Sequence, residues 1–191
     1  MHCDKLVVHN NSVLGLVEAG VGLVPSGGGV KETYLRWYAK TGDWEEAAWK
    51  SWMQIGYGRT GSSPRLSAKL EYFRQSHDIS IMSRDRLLTR AIEEAEQMAG
   101  NYHVLSVPEV RLASHSLMAK MDAFMQDGVD KGMFSAHNKV VAMAIASIMV
   151  ADEAEPAETS EQALYDRERR AFLHLAQTDA TAQMIAKMLA G

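Results

Sequence analysis

One cysteine, Cys3, stands in the whole of the 191-residue sequence. No internal disulfide can therefore form, and no CxxC pair or other metal-finger spacing exists. A single thiol fits a reducing compartment. Lys and Arg are scattered rather than gathered. With a net charge of −4 and a pI near 6.0, the sequence lacks the basic footprint of a nucleic-acid binder. Long apolar runs are missing too. The longest, Val140 to Ala151, contains Ser147 and falls short of the roughly 20 residues that cross a bilayer. The opening MHCDKLVVHN has no basic region ahead of an apolar core, so it does not read as a signal peptide. These absences predict a cytoplasmic chain with no membrane span and no nucleic-acid partner. The histidines (His2, His9, His77, His103, His115, His137 and His174) form no HExxH or similar metal spacing and read as surface or packing residues. A GxSxG nucleophile elbow is absent, and so is any repeat at a period of about 20 to 50 residues.

What is present is ordinary globular composition, with 47% hydrophobic and 23% charged residues, which argues against disorder. The β-branched stretch Cys3 to His9 predicts a strand with no evident partner downstream, and Asp78 to Met82 is read separately as a short strand. A helix is expected from about Gly28, and another over Asp43 to Gly56, with Asp43 as N-cap and Gly56 as stop. Trp44, Ala48, Trp52 and Ile55 share a face of that second helix and predict core. Gly56 to Pro64 reads as a loop and Pro64 to Phe73 as a short helix. From Ser83 the pattern is helical: Ser83 to Gly100, about Arg111 to Gln126, Ser135 to Val150, Ser160 to Gln177 and Asp179 to Leu189. Asn101 to Glu109 is expected to be extended, Asp127 to Gly132 a turn, and DEAEPAE an acidic loop around Pro156. The methionines fall at helical spacing and read as core filling.

GLVEAGVGLVPSGGGVKE, from Gly15 to Glu32, is the most distinctive stretch. A dinucleotide fingerprint needs a third glycine where Pro25 stands after Gly20 and Gly22, and a Walker A loop needs Gly-Lys-Ser/Thr where Gly29, Val30 and Lys31 stand. Both phosphate readings fail. A different chemistry remains open. Glycine lets backbone N–H groups approach a developing oxyanion. Glu18, among Val17, Ala19, Val21 and Leu23, would be a carboxylate in apolar company, a setting suited to acid or base work. Spacing alone equally allows a turn carboxylate among glycines that merely permit close packing.

HCDKLVV followed by GLVEAGVGLVPSGGGVKE resembles the crotonase (enoyl-CoA hydratase/isomerase) family, most of all the hydratase part of long 3-hydroxyacyl-CoA dehydrogenase proteins. The resemblance continues through RQSHDISIMSRDRLLTRAIEEA, DGVDKGMFSAHNKVVAMAIASIM and YDRERRAFLHLAQTDATAQMIAKML, and so covers nearly the whole sequence. It implies an α+β, predominantly α-helical fold. This would be the C-terminal portion of a crotonase-like (ClpP/crotonase) fold, with residues 1–82 as that portion and 83–191 as a helical extension. It implies 2-enoyl-CoA hydration in fatty-acid β-oxidation. Glu18 would be the first of two catalytic glutamates and Gly15 an oxyanion-hole donor through its N–H. Val17, Gly22, Pro25, Gly27 and Gly28 would shape the substrate pocket. Acyl-CoA would be the substrate, with no cofactor in this chain and NAD only in a dehydrogenase module that this sequence does not resemble.

Departures from the family bear on the same reading. The second oxyanion donor and the CoA-binding groups would lie upstream of Met1, so the chain is expected to be incomplete alone. It would then pair with itself or with a complementing crotonase half. Lys50 stands where the second glutamate is expected, and Glu45 and Glu46 lie one turn upstream. An isolated chain is accordingly expected to be weak or inactive, and a non-catalytic association module is the alternative. His137 matches a recurrent family position and is read as structural.

Overall fold

The computed structural model describes residues 2–104, 106, 109–153 and 157–190. Residues 105, 107 and 108 of the expected Asn101 to Glu109 segment and the centre of the acidic loop around Pro156 lie outside the described residues. In chain order the elements are β1 (Val7–His9), β2 (Leu14–Gly15), α1 (Gly29–Thr41), α2 (Trp44–Gly56), β3 (Thr60–Gly61), α3 (Pro64–Ser67), β4 (Ile79–Ile81), α4 (Leu87–Ala99), β5 (Val110–Arg111), α5 (His115–Asp130), α6 (Ala136–Met149), β6 (Glu158–Thr159), α7 (Glu161–Ala176) and α8 (Asp179–Ala190). Short 3-10 turns precede α1, follow α3 and precede α4. The structure is thus mostly helical, and among the described residues its strands form two-stranded pairings.

The chain forms two compact units. One comprises Met1–Gly15 and Thr60–Pro108, the other Leu16–Arg59 and Glu109–Gly191. This partition differs from the expected boundary after residue 82. Helix α4 is tied into the first unit, where Lys5 Nζ donates to Glu94 Oε2 at 2.7 Å. Helices α1 and α2 share the second unit with the C-terminal helices.

In the first unit the N-terminal strand does have a partner. β1 pairs in parallel with β4, Val7 opposite Ile79 and His9 opposite Ile81. A parallel pair this short needs outside support, and Asp78 supplies it. Its buried carboxylate accepts N–H groups from Leu6 at 3.0 Å and Arg74 at 2.7 Å, and the Arg74 guanidinium at 3.0 Å. Burial works against the charge on Asp78, but Arg74 and these donors outweigh it and hold the carboxyl below its usual range. The expected loop after Gly56 contains β3, antiparallel to β2, and the expected helix from Pro64 is a single turn closed by a 3-10 turn.

In the second unit α2 forms as its sequence suggests: Asp43 accepts the Glu46 N–H at 2.9 Å, and Ala48, Trp52 and Ile55 are buried. Trp44 is half-buried and stacks on Tyr38, centroids 3.5 Å apart. Helix α6 carries Ile145, Ile148 and Met149 into the core, where they meet buried residues of α1, α2, α5 and α7. It begins with a capping box, Ser135 and Asn138 each bonding the other's backbone N–H. Its C-terminal carbonyls of Ser147 and Val150 accept from the Arg167 guanidinium at 2.6 and 3.1 Å, a placement that also suits the helix dipole. Helix α5 starts four residues later than expected. Val110 and Arg111 pair with Thr159 and Glu158 instead, and Ala113 bridges Val150, so this backbone is already spent in extended pairings.

Candidate functional site

Glu18 opens a 3-10 turn, Glu18–Val21, that ends at Gly22 in the left-handed region, φ 79°. The side chain is only partly buried, yet its Oε2 is enclosed and has no hydrogen-bond partner among the described residues. An enclosed, unpaired carboxylate oxygen is costly, on the order of 1–3 kcal/mol. Native structures hold few such atoms; Asn10 Oδ1 and Ser51 Oγ are also enclosed in this way.

The turn is held from the far end of the chain. The Thr181 hydroxyl donates to the Gly22 carbonyl at 2.8 Å, and His137 Nε2 lies 2.9 Å from Thr181 Oγ1. The Thr178 hydroxyl lies 2.8 Å from the Leu175 carbonyl and 3.0 Å from Thr181 Oγ1. With the single Thr181 proton committed to Gly22, the His137 nitrogen must be the donor, which fixes an Nε2–H tautomer. A Cβ on Gly22 would stand 2.9 Å from Thr181 Oγ1 and 3.0 Å from His137 Nε2. Close approach and positive φ both demand glycine here. Through Thr181, His137 is tied to the turn that carries Glu18.

The start of α1 is held in the same manner. Gly28 sits at φ 87° and offers no side chain to cap the helix. Glu168 of α7 does so instead, accepting the Gly28 N–H at 2.6 Å and the Lys31 N–H at 2.7 Å. Complete burial pushes the Glu168 carboxyl up to about 7, against the pull of these donors and of the Lys31 charge. Burial also opposes the charge on Lys31, but Glu32 at 2.7 Å and Glu161 at 2.9 Å overcome it and hold the ammonium above the ordinary lysine value. A carboxylate thus already occupies the helix N-terminus that a phosphate would seek.

Beside the Glu18 turn lies a cavity of about 130 Å³. Ala19 forms part of its wall; Trp52, Met53, Gly56 and Tyr57 come from α2 and its end, Phe124 and Met125 from α5, and Phe134, Asn138, Val141 and Ala142 from the α5–α6 hairpin. The aromatic rings brace one another, with Trp52 to Phe124 edge-on at 5.6 Å and Phe124 to Phe134 at 6.5 Å. Trp52 Nε1 donates to the Ala142 carbonyl at 2.8 Å, so its polar atom is satisfied away from the cavity.

The remaining expected residues are distributed as follows. Gly15 is exposed in β2, opposite Thr60. Val17 is 57% exposed and Gly27 is exposed, while Pro25 is buried close behind Gly29. None of Val17, Gly22, Pro25, Gly27 and Gly28 borders the cavity. Lys50 pairs with Glu46 at 3.3 Å and lies over the Trp37 ring. Glu45 accepts the Ser114 N–H. Both upstream glutamates are therefore engaged elsewhere. Sequence reasoning missed Glu168 and Thr181, whose partners lie 140 and 159 residues away. It also missed Phe124 and Phe134. Helical periodicity marks such rings only as core. No group of three or more metal-ligating side chains occurs among the described residues, and none of their helices is long and apolar enough to cross a membrane.

Two curated proteins resemble the chain along most of its length. A probable 3-hydroxyacyl-CoA dehydrogenase of Bacillus subtilis (strain 168) is 27% identical over 173 residues, covering 90% of this chain and 22% of that protein. A putative fatty acid oxidation complex trifunctional enzyme of Rickettsia felis is 23% identical over 186 residues, covering 97% of this chain and 23% of that protein. The chain thus spans less than a quarter of either relative. No protein-family model matches it, and no solved structure matches it.

Proposed function

We propose that this chain is the crotonase-type, acyl-CoA-handling part of a fatty-acid β-oxidation protein, and that it serves the hydration of 2-enoyl-CoA thioesters. In hydration, water oxygen bonds to C3 of the enoyl group and a proton is delivered to C2, with negative charge passing through the thioester oxygen. Glu18 is the group that handles the proton, and the resemblance to crotonases gives the Gly15 N–H the part of an oxyanion donor. The observation that carries this reading is the enclosed, partnerless Oε2 of Glu18, on a turn fixed by Thr181 and His137. Its metabolic setting is drawn from the names of the two relatives, both of them proteins of acyl-CoA or fatty-acid oxidation.

The alternative is a non-catalytic module that associates with itself or with a larger β-oxidation chain. It is favoured by one observation: Lys50 stands at the second glutamate's place, and Glu45 and Glu46 are committed to Ser114 and Lys50. Crotonyl-CoA hydration separates the two. The assay follows loss of the conjugated thioester absorbance, using the polypeptide as the cell makes it. Hydration that falls on the order of 10²–10⁴-fold in Glu18→Gln supports catalysis. Absence of hydration, or hydration indifferent to Glu18→Gln, overturns it.

A further inference from the structure

The cavity beside the Glu18 turn is not accounted for by proton transfer. It is a half-open space of about 130 Å³ with a largely apolar wall, and Gly56 and Tyr57 stand exposed at its rim. An apolar surface gains from contact with an apolar guest, and an enclosed cavity of about 150 Å³ accepts a benzene ring. Ala19, Gly56 and Ala142 are the small residues of its lining, and Trp52, Tyr57, Phe124 and Phe134 are the large rings. Gly56 has no heavy atom within 4 Å of where a Cβ would stand, and its φ lies outside the left-handed region. A side chain could be accommodated at that position, yet none is present. On the polar side stands Asn138. Its Oδ1 is committed to the Ser135 N–H at 2.9 Å, which leaves its NH2 group as a donor beside the apolar space.

We infer that this cavity binds the hydrocarbon end of a short acyl thioester, on about the six-carbon scale, and so sets the acyl-length preference of the chain. The inference rests on the proposed acyl-CoA function and adds the substrate class to it. Ala19 is the residue next to Glu18 and lines the cavity, so a chain held there lies beside the turn that carries the carboxylate. Helices α5 and α6 thereby contribute to substrate selection as well as to the core.

The test uses saturated acyl N-acetylcysteamine thioesters from acetyl to decanoyl, which carry the acyl chain without the nucleotide. Binding is read by titration against the tryptophan fluorescence. Affinity should rise roughly fourfold per methylene, the worth of a buried CH2, up to about hexanoyl, and then level off. Gly56→Leu should abolish the rise, and Phe134→Leu, which enlarges the space, should carry it to longer chains. Equal affinity for every chain length, or a rise that Gly56→Leu leaves unchanged, overturns the inference. The readout is binding, so the two readings fail separately. Chain-length dependence retained in Glu18→Gln, with no hydration in any form, would sink the hydratase reading and leave the pocket standing. Hydration without chain-length dependence would do the reverse.

Discussion

Buried Thr181 gives its one hydroxyl proton to the Gly22 carbonyl, and its oxygen lies within hydrogen-bond reach of the His137 ring and the Thr178 hydroxyl. Thr181→Val keeps the shape and removes the partner from both Gly22 and His137. Stability should fall by about 1–3 kcal/mol, the cost of stranding buried polar groups, and Thr181→Ser should recover most of it. Urea unfolding measures both, and a valine variant as stable as the parent would contradict the network. Glu168 gives a second residue-level expectation, through pH. Its folded carboxyl titrates near 7, above the unfolded value. Its favourable contribution is therefore complete below about pH 4.3 and disappears as pH rises through 7. Unfolding free energy should drop by up to roughly 3 kcal/mol over that window, and Glu168→Gln should flatten the slope. A slope that survives Glu168→Gln would contradict the assignment. At this scale the sequence exposed Glu18, because a lone carboxylate among glycines and apolar residues is conspicuous. Glu168, inside YDRERRAF, looks like any solvated helix face, and only its fold partner Gly28 reveals its work.

Among the elements, helix legibility tracked local signals. α2 was readable from Asp43 and Gly56, and α6 and α7 from Ser135 and Ser160, because each cap bonds within its own first turn. Where long-range pairing decided, reading failed. β1 had no visible partner because β4 is only three residues long, and α5 began late because Val110 and Arg111 serve β6. The β1–β4 pair carries its own prediction. Asp78 titrates below its usual range, so it contributes stability above the unfolded value of about 3.9, and this is lost as pH falls. Amides of Leu6 and Arg74 should lose hydrogen-exchange protection on acidification, and Asp78→Asn should lower their protection at neutral pH. Unchanged protection in both cases would show that the strand pair does not depend on Asp78.

Across the whole molecule these two carboxylates have opposite signs. Acid weakens the Asp78 cluster of the first unit, and a rise of pH towards and through 7 weakens the Glu168 cap of the second. The functional account rests on the second unit, where residues from both ends of the chain converge. Thr181 and His137 fix the turn that carries Glu18, while Phe124 and Phe134 wall the adjoining cavity. The sharpest measurement is hydration of crotonyl-CoA in heavy water, with deuterium at C2 of the product followed by NMR in the parent and in Glu18→Gln of matched stability. The account predicts deuterium incorporation in the parent and its loss in the variant. Equal incorporation in the two, or none in the parent, would contradict Glu18 as the proton-handling group.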